Sequence, residues 1–81
     1  MDPFKKAHEH CTNNKREIEE SAACGCFYCL KIFDKNQIEN WLNEKDGTAL
    51  CPFCGVDAVI GDKSGSPITK EFLTEMKNKW F

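Results

Sequence analysis

Apolar side chains recur at helical spacing in three parts of this chain. Near the start, Phe4, Ala7, His8, Cys11 and Ile18 fall roughly on one side of a helix, with polar residues between them. Asp2-Pro3 has the form of a cap followed by a first helical turn. Asn13-Asn14 weakens the middle, and Asn14 with Glu17 three positions on has the form of a second capping pair. The pattern predicts one helix or two short ones over residues 3–22. Farther along, Ile38, Trp41 and Leu42 share a helical face. Asp34 and Gln37 make a capping box, Phe33 and Ile38 a hydrophobic staple, and Gly47 a stop, which predicts a helix over 35–45. The last helix is predicted after Thr69, its cap. Phe72, Leu73, Met76 and Trp80 form its buried face, and Ile68 with Leu73 a further staple.

Between these helices the rhythm changes. Residues 48–50 read as a short extended approach. Residues 56–60 are apolar, partly β-branched and short, and are predicted as a strand. Residues 61–67 are all turn formers and predict a loop. That loop precedes a helix, but its lysine and glycines are in the wrong order for a phosphate-binding motif, so a solvated turn is expected.

Eighty-one residues make one small domain, near the lower limit of what a hydrophobic core can hold unaided. Its expected parts are an N-terminal helical segment (1–22), a central core (24–60) and a C-terminal helix (68–81). Eleven basic residues against thirteen acidic ones leave a net charge of −2. The bases near the start, Lys5, Lys6, Lys15 and Arg16, alternate with Glu9, Glu17, Glu19 and Glu20. A basic stripe of the kind that neutralises phosphates is missing, which demotes nucleic acid as a partner. Residues 1–20 lack an apolar leader, and no run is long enough to span a bilayer. The expectation is a cytoplasmic chain with reduced thiols.

In that setting the six cysteines carry the chemistry. Cys26-Phe-Tyr-Cys29 and Cys51-Pro-Phe-Cys54-Gly are two CxxC knuckles separated by 21 residues. Four sulfurs at this spacing can close a tetrahedron around one ion, and Zn2+ is the expected ion, with iron the alternative. A closed set of four thiolates leaves no position for a reacting water, so the expected role is structural. Cys24 offers a fifth thiol, as a substitute for Cys26 or as a supporting neighbour. His8 and Cys11, three apart on a helix, could join Cys24 in a second site, but a core-edge histidine beside a buried thiol is the default reading.

Catalysis has three conceivable forms. A nucleophile could be built from Cys24 or Cys11 with His8. A redox CxxC belongs in a larger βαβ setting than this chain can make. An HNH-type nuclease needs histidines between or after the cysteine pairs, and both histidines precede them. No catalytic residue is therefore assigned. At the far end, Trp80 continues the core face, while Phe81 could serve either packing or contact with a partner.

Three resemblances bear on this. Cys51-Pro-Phe-Cys54-Gly-Val-Asp looks like the second loop of rubredoxin, which is why iron stays in view; the first knuckle lacks the glycine that usually follows. The stretch from Cys29 through Ile38, Trp41 and Leu42 to Cys54 looks like the latter half of a RING finger. Cys24-Gly-Cys-Phe-Tyr-Cys29, Thr48-Ala-Leu-Cys-Pro-Phe-Cys-Gly55 and Pro67-Ile-Thr69 together resemble a family of small bacterial proteins usually called only "cytoplasmic protein". That resemblance covers nearly the whole chain and implies a cytoplasmic bacterial or phage-borne origin, without an activity to carry over. Its members often have serine at the position of Cys11. The expectation from all of this is a small α+β zinc-bound domain of zinc-ribbon or treble-clef type, with helices before, between and after the knuckles. Its expected function is non-catalytic binding of a partner protein. The alternatives are a nucleic-acid-binding ribbon and a small thiol or metal enzyme using Cys24 and His8.

Overall fold

The computed structural model describes residues 3–42 and 47–81. The N-terminal segment forms two helices, α1 (Pro3–Glu9) and α2 (Lys15–Glu20), broken at Asn13, whose φ is +48°. Asp2, expected as the first cap, lies outside the described residues. A three-stranded antiparallel sheet follows. Its central strand is β1 (Cys24–Cys26), flanked by β2 (Ile32–Phe33) and by β5 (Val59–Gly61), in the order β2-β1-β5. The register sets Cys24 opposite Phe33 and Gly61, and Cys26 opposite Val59. A separate hairpin pairs β3 (Trp41–Leu42) with β4 (Thr48–Ala49). Helix α3 (Lys70–Trp80) closes the fold against α1.

The helix expected over 35–45 does not form. Asp34 and Gln37 do make their capping box, but it starts only a single 3-10 turn, Lys35–Gln37. The chain then leaves the helical path at Ile38, and Trp41 and Leu42 pair with Ala49 and Thr48 as a strand. The remainder of the expected helix falls on residues 43–45, outside the described residues. Gly47 has a φ of +96°, the left-handed conformation that suits glycine, and it immediately precedes β4. The strand expected over 56–60 is shifted to 59–61. The expected cap at Thr69 forms, its hydroxyl accepting from the Phe72 N–H at 3.2 Å.

The core runs through the sheet. Phe27, Ile18, Ile60, Leu73, Met76 and Val59 are all fully buried. Gly25 is where α3 meets the sheet. A methyl group there would stand 2.8 Å from Leu73 Cδ1 and 3.2 Å from Ile68 Cγ2, so the helix packs directly on the strand backbone. Asn14 is buried too; it is the N-cap residue of α2, as its spacing to Glu17 suggests, but its side chain makes no cap bond there. Its amide donates to the carbonyls of His10 and Val59, each at 2.9 Å, and its oxygen accepts from Ala49 N–H at 3.1 Å. Glu17 pairs instead with His10 Nδ1 at 2.9 Å.

The segment predicted as a loop over 61–67 instead starts with the last residue of β5 and a single 3-10 turn, Asp62–Ser64, and it acts as a structural clip. The Asp62 carboxylate accepts from the N–H groups of Ala22 and Ala23, both at 3.1 Å. Ser21 Oγ donates to Glu17 O and accepts from Lys63 N–H. These bonds tie the end of α2 to the end of β5. Among the described residues, no helix is long and apolar enough to cross a membrane.

A candidate metal centre between two matched knuckles

The sheet delivers the cysteines. Cys26 ends β1, and the first knuckle is the turn by which β1 reaches its neighbour β2. The second knuckle lies between β4 and β5 and is joined to the first by Phe27 N–H donating to Ala58 O at 3.0 Å. Register in the sheet therefore fixes the two pairs against each other.

The two knuckles have the same internal geometry. In the first, Leu30 N–H donates to Cys26 O at 2.9 Å; in the second, Gly55 N–H donates to Cys51 O at 2.9 Å. The residue after the second cysteine is left-handed in both, Leu30 at φ +66° and Gly55 at φ +77°. Leucine thus takes a conformation in the first knuckle that glycine takes in the second, at a cost of about 1–2 kcal/mol for a side chain with a Cβ. The tip amides also match: Tyr28 N–H points at Cys26 Sγ and Phe53 N–H at Cys51 Sγ, each at 3.4 Å.

This geometry gathers the sulfurs of Cys26, Cys29, Cys51 and Cys54 within 4.8 Å of one another. Across the knuckles, Cys26 Sγ stands 3.6 Å from Cys54 Sγ and Cys29 Sγ 3.5 Å from Cys51 Sγ. Sulfurs bound tetrahedrally to one zinc at about 2.3 Å would be about 3.8 Å apart, so the cluster is close to the size an ion requires. Four cysteines so close together could hold a metal ion.

The thiols are unequal without a cation. Burial pushes Cys26 far up, against the N–H groups of Cys29 and Tyr28 that favour its thiolate. Burial acts the same way on Cys51, but N–H groups of Phe53 and Cys54 and the Cys29 side chain outweigh it, and its net shift is downward. Cys54 is shifted upward, chiefly by burial. A cation at the centre would favour the thiolate form of all four.

The other candidates lie apart from this group. Cys24 is fully buried in β1, and burial with the charges of Asp62 and Asp34 pushes its thiol up to about 11. Cys11 is likewise pushed up to about 11, by burial and Asp57. Both are protonated at neutral pH, the opposite of an activated thiol. The His8 ring stacks on Trp80 with centroids 4.0 Å apart. Among the described residues, Cys26, Cys29, Cys51 and Cys54 are the group of ligand-type side chains close enough to share an ion, and His8, Cys11 and Cys24 are not part of it.

The C-terminal aromatics divide. Trp80 is half-buried, donating its Nε1–H to Phe4 O at 3.3 Å. Phe81 is 62 % exposed yet touches the first knuckle, its ring centroid 4.9 Å from Tyr28 and 5.8 Å from Phe27.

In comparison with known proteins, no family model, curated protein or solved structure matches this chain.

Proposed function

We propose that this chain is a small non-catalytic binding module, clipped by one structural zinc on Cys26, Cys29, Cys51 and Cys54, that acts in the cytoplasm by presenting its surface to another protein. The observation that carries this reading is the matched pair of knuckles around a four-sulfur cluster of tetrahedral size. A closed set of this kind supports a scaffold role, because no coordination position is left for substrate or water. Its chemistry suits zinc in a reduced compartment, and the resemblance to small bacterial cytoplasmic proteins agrees with that setting. Iron also accepts four thiolates, and the two ions are told apart by measurement.

Elemental analysis and X-ray absorption at the metal edge test the reading directly. The expected result is one zinc per chain with four sulfur neighbours at about 2.3 Å and no light-atom ligand. One iron per chain would replace the metal and keep the scaffold. Fewer than four sulfurs, with an oxygen or nitrogen neighbour, would overturn the structural role and point to chemistry at the metal.

A further inference from the structure

We propose that the cavity between helix α1, residues 64–67 and helix α3 is a binding site for a small, free aromatic carboxylate. This goes beyond the reading of the domain as a metal-clipped module. It does not depend on the metal, because no residue of either knuckle lines the cavity.

The cavity has a volume of about 260 Å³. An apolar cavity of about 150 Å³ already admits benzene, so this one has room for a ring and a small substituent. Three flat apolar groups line it: Pro3 from α1, Pro67, and the Phe72 ring from α3. Phe72 packs on Phe4, with ring centroids 5.2 Å apart. Flat apolar walls suit an aromatic ring, which has little freedom to lose on binding. The rest of the wall is backbone around Gly65, and it is fixed from within. Ser64 Oγ donates to Gly61 O at 2.6 Å and accepts from Ser66 N–H at 3.3 Å, and Gly65 N–H donates to Asp62 O at 3.1 Å. A methyl group at Gly65 would meet no atom within 4 Å, so a ligand can approach the chain closely there. A wall ordered before binding adds no loop-ordering cost.

The polar groups choose the ligand's charge. Among the described residues, Lys6 is the one ionisable side chain that lines the cavity, and no carboxylate does. Neither the Lys6 ammonium nor the Ser66 hydroxyl has a hydrogen bond or ion pair to another described residue. One ammonium and one hydroxyl match a single carboxylate, through one charge-assisted bond and one neutral bond. A phosphate is a poorer match. The Gly65 and Ser66 amides that could cradle it are already engaged by Asp62 O and Ser64 Oγ. A cationic ligand would meet an ammonium and no acid.

Titrating the zinc-loaded full chain with sodium benzoate, followed by amide NMR shifts, tests this. Saturable shifts at millimolar benzoate are expected, centred on Lys6, Gly65, Ser66 and Phe72. Lys6→Gln should weaken benzoate about four-fold, and Lys6→Arg should leave it nearly unchanged. Lys6 is exposed, so both variants should keep the fold, and their ligand-free spectra check this. Neutral benzamide separates charge from ring. The natural chain should bind it about four-fold more weakly than benzoate, whereas Lys6→Gln should bind the two alike. The proposal is overturned if benzoate causes no saturable shift, or shifts amides elsewhere in the fold. It is also overturned if acetate binds as well as benzoate, if inorganic phosphate binds the same amides more tightly, or if Lys6→Gln binds benzoate unchanged. Tighter binding of acetyl-glycyl-phenylalanine than of benzoate would overturn it in favour of the end of a partner's chain.

Discussion

Asn14 shows how one residue can be read correctly as important and wrongly in kind. In the sequence it has the spacing of a cap to Glu17. In the fold it satisfies two carbonyls and one amide from three separate parts of the chain, at the α1–α2 junction, β5 and β4. Nothing local encodes partners 35 and 45 residues away, so this role was not legible. Removing the side chain strands the Val59 carbonyl and the Ala49 amide in the interior. Asn14→Ala should therefore cost about 2–3 kcal/mol in denaturant unfolding of the metal-loaded protein. A loss below about 0.5 kcal/mol, the size of an ordinary surface substitution, would contradict this account. The cysteines were more transparent, because CxxC spacing carries its own geometry: knuckle tips direct amides to the first sulfur of each pair. Spacing favours Cys26 over Cys24, and it is Cys26, where β1 ends, that lies in the four-sulfur cluster.

At the scale of elements, local signals succeeded where the element is closed by its own sequence. Thr69 caps α3 as expected, and Leu73 and Met76 of the expected face are fully buried. The segment after Asp34 misled for a physical reason. Its capping box is real, but a box fixes one turn, and Ile38, Trp41 and Leu42 carry apolar spacing that a helix or an irregular crossing can use equally. Pairing of Trp41–Leu42 with Thr48–Ala49 is a longer-range contact that overrides the local preference. Docking of α3 on the sheet depends on Gly25 in a way that also escapes pattern reading. Gly25→Ala should destabilise by about 1–3 kcal/mol, since its methyl meets Leu73 and Ile68. In a Leu73→Ala background the same change should cost clearly less, and equal costs in both backgrounds would argue against direct packing.

The sheet that carries the knuckles is small: among the described residues it has eight residues in three strands, of which the central one ends on Cys26. The α+β class and the two-knuckle plan were legible because so small a chain with two CxxC pairs has few other ways to fold. The sheet order was not, since it depends on a 33-residue separation between Cys26 and its partner Val59. If a metal holds the knuckles, its binding energy of about 10–16 kcal/mol is comparable to or larger than the whole stability of a domain this size. Stripping it with a strong chelator under reducing conditions should collapse the dispersed amide spectrum, and adding one equivalent of zinc should restore it. A spectrum unchanged on stripping would show that the apolar core suffices alone.

The indole of Trp80 reaches back to the Phe4 carbonyl across 76 positions of chain. The first and last helices thus run out of the body at neighbouring points. A host protein could carry this unit as an insert in a surface loop without prying that loop apart, and the unit would keep its own shape while borrowing the host's address.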